Sequence, residues 1–406
     1  MSTPSLTKQQ MQETVDAIQT HGDQPKAAAA LGLPVSTLKH RLQRAVAAGV
    51  QPNGVSPDDP KLLKRRIQQL TVDLREAEKQ SADVNTIKEA LGTIRLKLDE
   101  QTAPIWTQKL RAPSSPGVPT LFLSDVHHGE IVHPSQINGV NKFNATICRR
   151  RLRYTMDTAI HLLRILDKDL DYPGIVVPLG GDMISGNIHD ELVATNELNS
   201  IPAMLDLHGE LVALLSLAAD AFGHVFVPCV SGNHGRDTRK IWAKDRHHTS
   251  FDWLLYQFLA KTFAERGDKR VTFYVPDGPD AHYRIYNYRY VLTHGDQFRG
   301  GDGIIGPIGP LVRGDQKKRS RNSQIAQDYD TMICGHWHQY IHLRRLIVNG
   351  SVKGYDEYAF AGNFPFEEPT QALWMTHPRF GITFRMPVFC EQPTKQRVAS
   401  WVSVPK

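Results

Sequence analysis

Cysteine is sparse in this chain and never paired in sequence. The four of them, Cys148, Cys229, Cys334 and Cys390, are scattered through 406 residues with no CxxC spacing. That argues against both a zinc knuckle and a disulfide framework and predicts reduced, mostly buried thiols. Long apolar runs are lacking too. The opening "MSTPSLTKQQ" has no apolar core of the kind a secretory signal needs, and the most apolar stretch, residues 210–223, is too short and too interrupted to span a bilayer. A cytoplasmic protein with no membrane partner is the expectation. Internal repeats and low-complexity tracts are also missing. What is present is an ordinary globular composition, 40% hydrophobic and 22% charged, with room for one large domain and appendages.

The net charge of +6 is unevenly placed. Residues 1–115 hold 16 lysines and arginines against 12 acids, whereas the remaining 291 hold 32 against 30. The front of the chain is where a polyanion would be met, although solvated helix faces produce the same bias. Within it, residues 6–22 carry apolar side chains at helical spacing and end in Gly22. Residues 24–45, "QPKAAAALGLPVSTLKHRLQRA", read as an Ala-rich helix broken at Gly32 and a second helix that Ser36 can cap, beginning at Thr37. Ala28 lets the helices approach, Gly32 supplies a positive φ, and Leu31, Leu33, Leu38 and Leu42 bury the joint. The second helix presents Thr37, Lys39, His40, Arg41 and Arg44 as candidate DNA contacts. This run resembles the Fis-type helix-turn-helix; a helical hairpin that does not touch DNA is the alternative.

The chain therefore divides into a helix-turn-helix module at 1–50, a Pro/Gly/Asn/Asp-rich linker at 51–60, a long amphipathic helix at 61–111 and a catalytic domain at 112–406. In the helix, Leu63, Leu70, Ala77, Val84, Leu91 and Leu98 recur every seven residues, with Ile67, Leu74, Ile87 and Ile94 at the second apolar position. Either self-association through 61–101 or packing on the catalytic domain satisfies that stripe. A homo-oligomer would let two front modules read two half-sites.

From Val118 onward apolar strand-like runs alternate with helical ones. "VPTLFL" precedes a helix near 144–170, "GIVVPLGG" a helix at 201–222, and "HVFVPCVSG" a helix at 251–264. Strands near Val271, Tyr283 and Tyr288 and the run "DTMICG" follow. The alternation predicts a layered α/β domain with its site at strand C-terminal ends. "YIHLRRLIVNGS" and "FGITFRMPVF" predict an antiparallel second sheet. Five of these runs end in ligand chemistry: Asp125 and His127 in "SDVHHG", Asp182 in "LGGD", Asn233 and His234 in "SGNHG", His294 in "LTHGD", and His336 and His338 in "CGHWH". One such tripeptide means little. Five in order, each behind an apolar run and flanked by small residues, describe a site built of imidazole, carboxylate and amide donors, a set that suits Mn, Fe or Zn.

The ordered set D-x-H, G-D, G-N-H, H, G-H-x-H resembles the calcineurin-like metallophosphoesterase superfamily over residues 118–345. The resemblance implies a two-sheet sandwich flanked by helices and two divalent cations, most readily manganese. It places one cation on Asp125, His127, Asp182 and His338, and the other on Asp182, Asn233, His294 and His336, with Asp182 bridging. It further implies in-line attack of water on phosphorus, with His234 protonating or stabilising the leaving oxygen. His128 and Glu130 have no fixed place in the pattern. Two departures stand out. Gly235 follows the G-N-H where many relatives carry an acid, and "GGDMISGN" lacks the arginine of the Ser/Thr protein phosphatases. Asp237 or Asp190 is left to orient His234, and Arg236 is a candidate contact to the scissile phosphate or a surface ion-pair partner.

The basic cluster Lys317, Lys318, Arg319 and Arg321 falls in a stretch that starts rich in Gly and Pro, and reads as a loop that tracks a nucleic-acid backbone or as a solvated linker. Three functions fit: a DNA nuclease targeted by its helix-turn-helix, similar in motif pattern to double-strand-break-repair nucleases; a phosphatase or cyclic-nucleotide phosphodiesterase acting on small molecules; and a DNA-binding regulator with a vestigial metal site. The whole arrangement also resembles phosphoesterases encoded by some bacteriophages.

Overall fold

The computed structural model describes residues 6–48, 50, 103–108, 117–166, 172–300 and 306–392. The linker at 51–60 and nearly all of the helix expected at 61–111 lie outside them. Contacts divide the chain into two compact units, Met1–Lys97 and Leu98–Lys406, and each is described by itself.

Among the described residues of the first unit are three helices, α1 (Lys8–His21), α2 (Gln24–Ala30) and α3 (Val35–Ala47). Thr7 and Gln10 form a reciprocal capping box on α1, and Gly22 closes it in the left-handed region. Ala17, Ala27, Ala28 and Leu38 make the small core, and Gly32, at φ 62°, turns the chain between α2 and α3. The expected start of the second helix is corrected: Pro34, not Ser36, holds the N-cap position, because its fixed φ already suits a helix entry. Thr37, Lys39, His40 and Arg44 are exposed and Arg41 is half-buried.

The second unit is mixed α/β, with two sheets flanked by helices. The first sheet has the order β11-β10-β1-β2-β3-β4 and the second β5-β6-β7-β9-β8. The strands are β1 (Val118–Phe122), β2 (Ile175–Val176), β3 (Val225–Pro228), β4 (Val271–Tyr274), β5 (Asp280–Ile285), β6 (Tyr288–Thr293), β7 (Thr331–Cys334), β8 (Ile341–Leu343), β9 (Leu346–Val348), β10 (Thr370–His377) and β11 (Gly381–Phe389). Strands β1 to β4 run parallel, and β1, β2 and β3 are buried along their whole length because both faces are covered. One face meets the second sheet through Phe122, Val176, Phe226, Tyr290, Leu292, Ile333 and Trp374. Helices α4 (Ala145–Leu166), α6 (Ser200–Phe222) and α7 (Phe251–Glu265) pack together, with α6 on β3 and α7 on β4. Between α4 and α6 lies the short α5 (Asp190–Thr195). Helix α8 (Ile308–Gln324) contributes Leu311 to a cluster with Val291, Met332 and Val348 of the second sheet. Helix α6 is long and apolar enough to cross a membrane by length and composition alone, yet it buries Leu207, Leu211 and Leu215 in this packing.

Three expectations are revised. "GIVVPLGG" pairs as a ladder only at Ile175–Val176, with an isolated bridge at Leu179, because Pro178 has no N–H to offer. The second sheet is mixed: β6–β7 and β7–β9 are parallel, and "FGITFRMPVF" instead extends the first sheet antiparallel beside β10. Residues 103–108, expected at the end of the long helix, form a 3-10 turn after Pro104 and belong to the second unit. There Trp106 stacks on His224 and the Thr107 carbonyl accepts from the Tyr286 amide. All four cysteines are free and buried.

Candidate metal centre

Strands β1, β2 and β3 are neighbours in one sheet and β6 and β7 in the other, so the five chain segments that leave their C-terminal ends meet at one edge of the sandwich. Those segments carry the seven candidate ligands. Asp125, His127, Asp182, His336 and His338 all have φ between 49° and 69°, a left-handed conformation that costs about 1–2 kcal/mol per residue. Strain gathered at one place marks a site where side-chain direction outweighs local stability. Two glycines show why small residues flank the motifs. A Cβ on Gly232 would lie 2.0 Å from Asp182 Oδ1, and one on Gly335 would lie 2.2 Å from Asp125 Oδ2.

Candidate ligand atoms converge in three overlapping groups. Asp125, His127 and His338 place one donor atom each within 4.8 Å of one another, as do Asp182, His294 and His336; Asp182 also groups with His127 and His234. His127 Nε2 and His338 Nε2 are 3.0 Å apart. His294 Nε2 lies 3.0 Å from Asp182 Oδ2 and 3.1 Å from Asn233 Oδ1. Two ligands at right angles, each about 2.1 Å from one ion, would be roughly 3.0 Å apart. The donor set is nitrogen and oxygen without sulfur, and it fits a two-metal site.

The protonation pattern agrees. Burial, with the Lys353 charge added, holds His127 well below the usual imidazole range, and burial with the His294 charge takes His336 down to about 4. Both rings are thus neutral lone-pair donors. His294 is the exception. Burial opposes its charge, but the Asp182 carboxylate outweighs burial and raises it to about 10, while His294 in turn holds Asp182 well below the carboxylate range despite its burial. Their shared proton supplies positive charge where a cation would supply it, and cation binding would displace it.

The surrounding side chains were only partly legible. Asp252, second residue of α7 and fully buried, accepts from the amides of Asp182 (3.0 Å), Gly232 (2.9 Å) and Met183 (3.2 Å). It staples the Asp182 and Asn233 segments together; burial and the Asp182 charge raise it to about 6. On the other side, buried Lys353 donates to Glu130 (3.0 Å) and pairs with Asp356, and Glu130 Oε2 lies 3.6 Å from His127 Nδ1. That Nδ1 is buried without a hydrogen-bond partner among the described residues. Ser124 donates to Asp125 Oδ2 and is itself held by Asn349 and Gln371. His128, unplaced by the motif, is buried and bonded to Asp206 at 2.6 Å.

His234 is oriented by neither Asp237 nor Asp190. Its Nδ1 donates to the Ser185 carbonyl at 2.8 Å, and its amide donates to Asp182 Oδ1 at 2.7 Å. Arg236 has no acidic partner among the described residues: it donates from Nη1 to the Asn233 carbonyl and from Nε to the Thr238 carbonyl. The basic lip expected at 317–321 is corrected. These residues lie within helix α8, where Lys318 is buried on Asp280, Arg321 also pairs with Asp280, and Arg319 pairs with Asp315. Of the four cations, Lys317 alone has no such pair among the described residues.

No family model matches the sequence, and no curated protein matches it. Among solved structures, the chain is similar to a conserved uncharacterized protein from Streptococcus pneumoniae TIGR4, titled a predicted phosphoesterase, at 12% identity over 63% of this chain and 82% of that one, with a TM-score of 0.24. Vacuolar Protein Sorting 29 from Cryptosporidium parvum gives 14% identity over 64% and 84%, TM-score 0.26. A dimetal phosphatase from Danio rerio gives 12% over 68% and 100%, TM-score 0.30. Likenesses this weak carry no argument, so the reading rests on the chain's own residues: a mixed α/β fold of two sheets, with His and Asp clusters that fit a two-metal site.

Proposed function

We propose that the chain is a phosphoester hydrolase dependent on two divalent cations, that it cleaves phosphodiester bonds, and that its substrate is DNA. The observation that carries the reading is the sharing of Asp182 between two convergent donor groups. Asp125, His127, Asp182 and His338 would hold one cation, and Asp182, Asn233, His294 and His336 the other. Bound there, the pair supplies Lewis-acid polarisation of the phosphoryl oxygens and a lowered pKa for water.

The chain's own residues do the rest. Asp252 and Arg236 fix the segments that carry Asp182 and Asn233. Glu130, set by Lys353, lies 3.6 Å from His127 Nδ1 and places negative charge behind the ring. With Nδ1 committed to Ser185, His234 has Nε2 for proton exchange with the leaving oxygen. DNA as substrate, cytoplasmic location, manganese as the working metal, duplex contacts by Thr37, Lys39, His40, Arg41 and Arg44, and oligomerisation through 61–101 all belong to this proposal.

The test is hydrolysis of bis-nitrophenyl phosphate and of plasmid, single-stranded and double-stranded DNA, with manganese restored after chelation, in the wild type and in Asp182→Asn. Metal-dependent cutting of DNA that Asp182→Asn abolishes is the expected result. Hydrolysis of the small ester without DNA cleavage would favour the small-molecule reading. No metal-dependent hydrolysis of any ester would leave the vestigial site.

A further inference from the structure

Between His234 and α7 the chain makes an excursion over residues 236–250 whose base is closed like a hairpin. Arg236 and Ser250 form an antiparallel bridge, the Asp237 amide donates to the Thr249 carbonyl at 2.8 Å, and the Phe251 amide donates to Gly235 at 2.7 Å. Arg246 pins the returning limb, donating to the Gly232 carbonyl and pairing with Asp296, each at 3.0 Å. The base therefore rests on the segment that presents Asn233 and, through Asp296, on the one that presents His294. The tip, residues 239–245, is exposed throughout. It reads Arg-Lys-Ile-Trp-Ala-Lys-Asp, with Trp242 54% and Ile241 40% accessible. Arg239, Lys240 and Lys244 have no ion-pair partner among the described residues, in contrast to Lys318, Arg319 and Arg321.

Asp296, the anchor for Arg246, leads directly into a pocket of about 280 Å³ lined by Phe298, Arg299 and Lys317, among others. Arg299 and Lys317 also lack ion-pair partners among the described residues. The Arg246–Asp296 pair thus joins two segments, each of which carries cations without an ion-pair partner among the described residues and adjoins a candidate ligand, Asn233 or His294.

We propose that this finger is a strand-binding element: Arg239, Lys240 and Lys244 meet successive phosphates of single-stranded nucleic acid, and Trp242 stacks on an unpaired base. The assignment rests on the phosphodiesterase reading of the centre, which requires the polymer to pass close to Asn233 and His234. Cations interleaved with an aromatic are what such a strand selects. A bilayer would ask for a broader apolar face than Ile241 and Trp242 provide.

The first test uses the full chain, with metal chelated to prevent cutting, and an oligothymidylate carrying 5-iodouracil. On irradiation the expected adduct is at Trp242; adducts confined to residues 1–50 would overturn the proposal. In fluorescence anisotropy, the triple variant Arg239→Ala, Lys240→Ala, Lys244→Ala should bind the strand at least about 10-fold more weakly, with the slope of log affinity against log salt reduced by about 2. Trp242→Ala should lose about 5-fold or more. Unchanged affinity in both variants, or binding of phosphatidylserine vesicles in place of the strand, would contradict it. Bis-nitrophenyl phosphate hydrolysis by the wild type is scored separately. Its failure sinks the phosphodiesterase reading, whereas failure of the adduct and affinity tests alone sinks the finger.

Discussion

Asp125, His127 and His338 rest on buried charge, whereas Asp182, Asn233 and His294 rest on held backbone. Behind the first group, Lys353 lies between Glu130 and Asp356, with its ammonium and both carboxylates almost entirely removed from water. Behind the second, the Asp252 carboxylate takes three amide hydrogens from two chain segments. The first support is electrostatic and depends on all its members being charged. The second is geometric and depends on one side chain's acceptors. The difference teaches that equivalent ligand placement can be secured by two unlike means, which should fail differently.

The largest effect is expected where the halves meet. Asp182→Asn weakens both cation positions at once and should lower metal-dependent ester hydrolysis by about 10³-fold or more, read in steady-state rates with metal in excess. Next is Lys353→Met, which strands two buried carboxylates and should cost about 3–5 kcal/mol by denaturant titration. Metal loss in this variant should begin at the His127 half.

Asp252→Ala leaves the amides of Asp182, Met183 and Gly232 without their acceptor. It should cost about 2–3 kcal/mol and weaken one cation about 10–100-fold while sparing the other, as two-site metal titration would show. Equal weakening of both sites would break the comparison. The smallest effect is acid-dependent. The Asp356 carboxyl is buried, which raises it, but the Lys353 charge outweighs burial and takes it from 3.8 down to about 2. Its stabilisation is therefore complete above pH 3.8 and is lost as pH falls towards 2, about 2 kcal/mol in all. Asp356→Asn should flatten that part of the stability curve; an unchanged acid limb would contradict the assignment.

Legibility followed distance along the chain. Asp125, His127, Asp182, Asn233, His294, His336 and His338 could be named because each sits a few residues beyond an apolar strand, so a local pattern reports it. Asp252 could not, since the amides it holds lie 70, 69 and 20 residues away, and in sequence it is one acid in the first turn of an apolar helix. Lys353 meets Glu130 across 223 residues. His234 was named, but its orienting partner is a backbone carbonyl, which carries no signal in residue type. The two basic segments show the same limit in reverse. Residues 317–321 look like a phosphate-binding lip until Asp280, on β5, is seen to neutralise Lys318 and Arg321. Residues 239–244 look ordinary until the fold leaves their cations without ion-pair partners among the described residues, on an excursion that starts beside Asn233 and His234. The two-sheet class was legible from the alternation of runs, but membership of β10 and β11 in the first sheet was not, because strand partners are chosen by the whole core.

The most direct test of the central claim is metal stoichiometry. The chelated chain would be titrated with manganese by calorimetry, with bound metal counted by elemental analysis after desalting. The account predicts two ions per chain in the wild type and no more than one in Asp182→Asn. Fewer than one ion in the wild type, or the same count in both proteins, would contradict it.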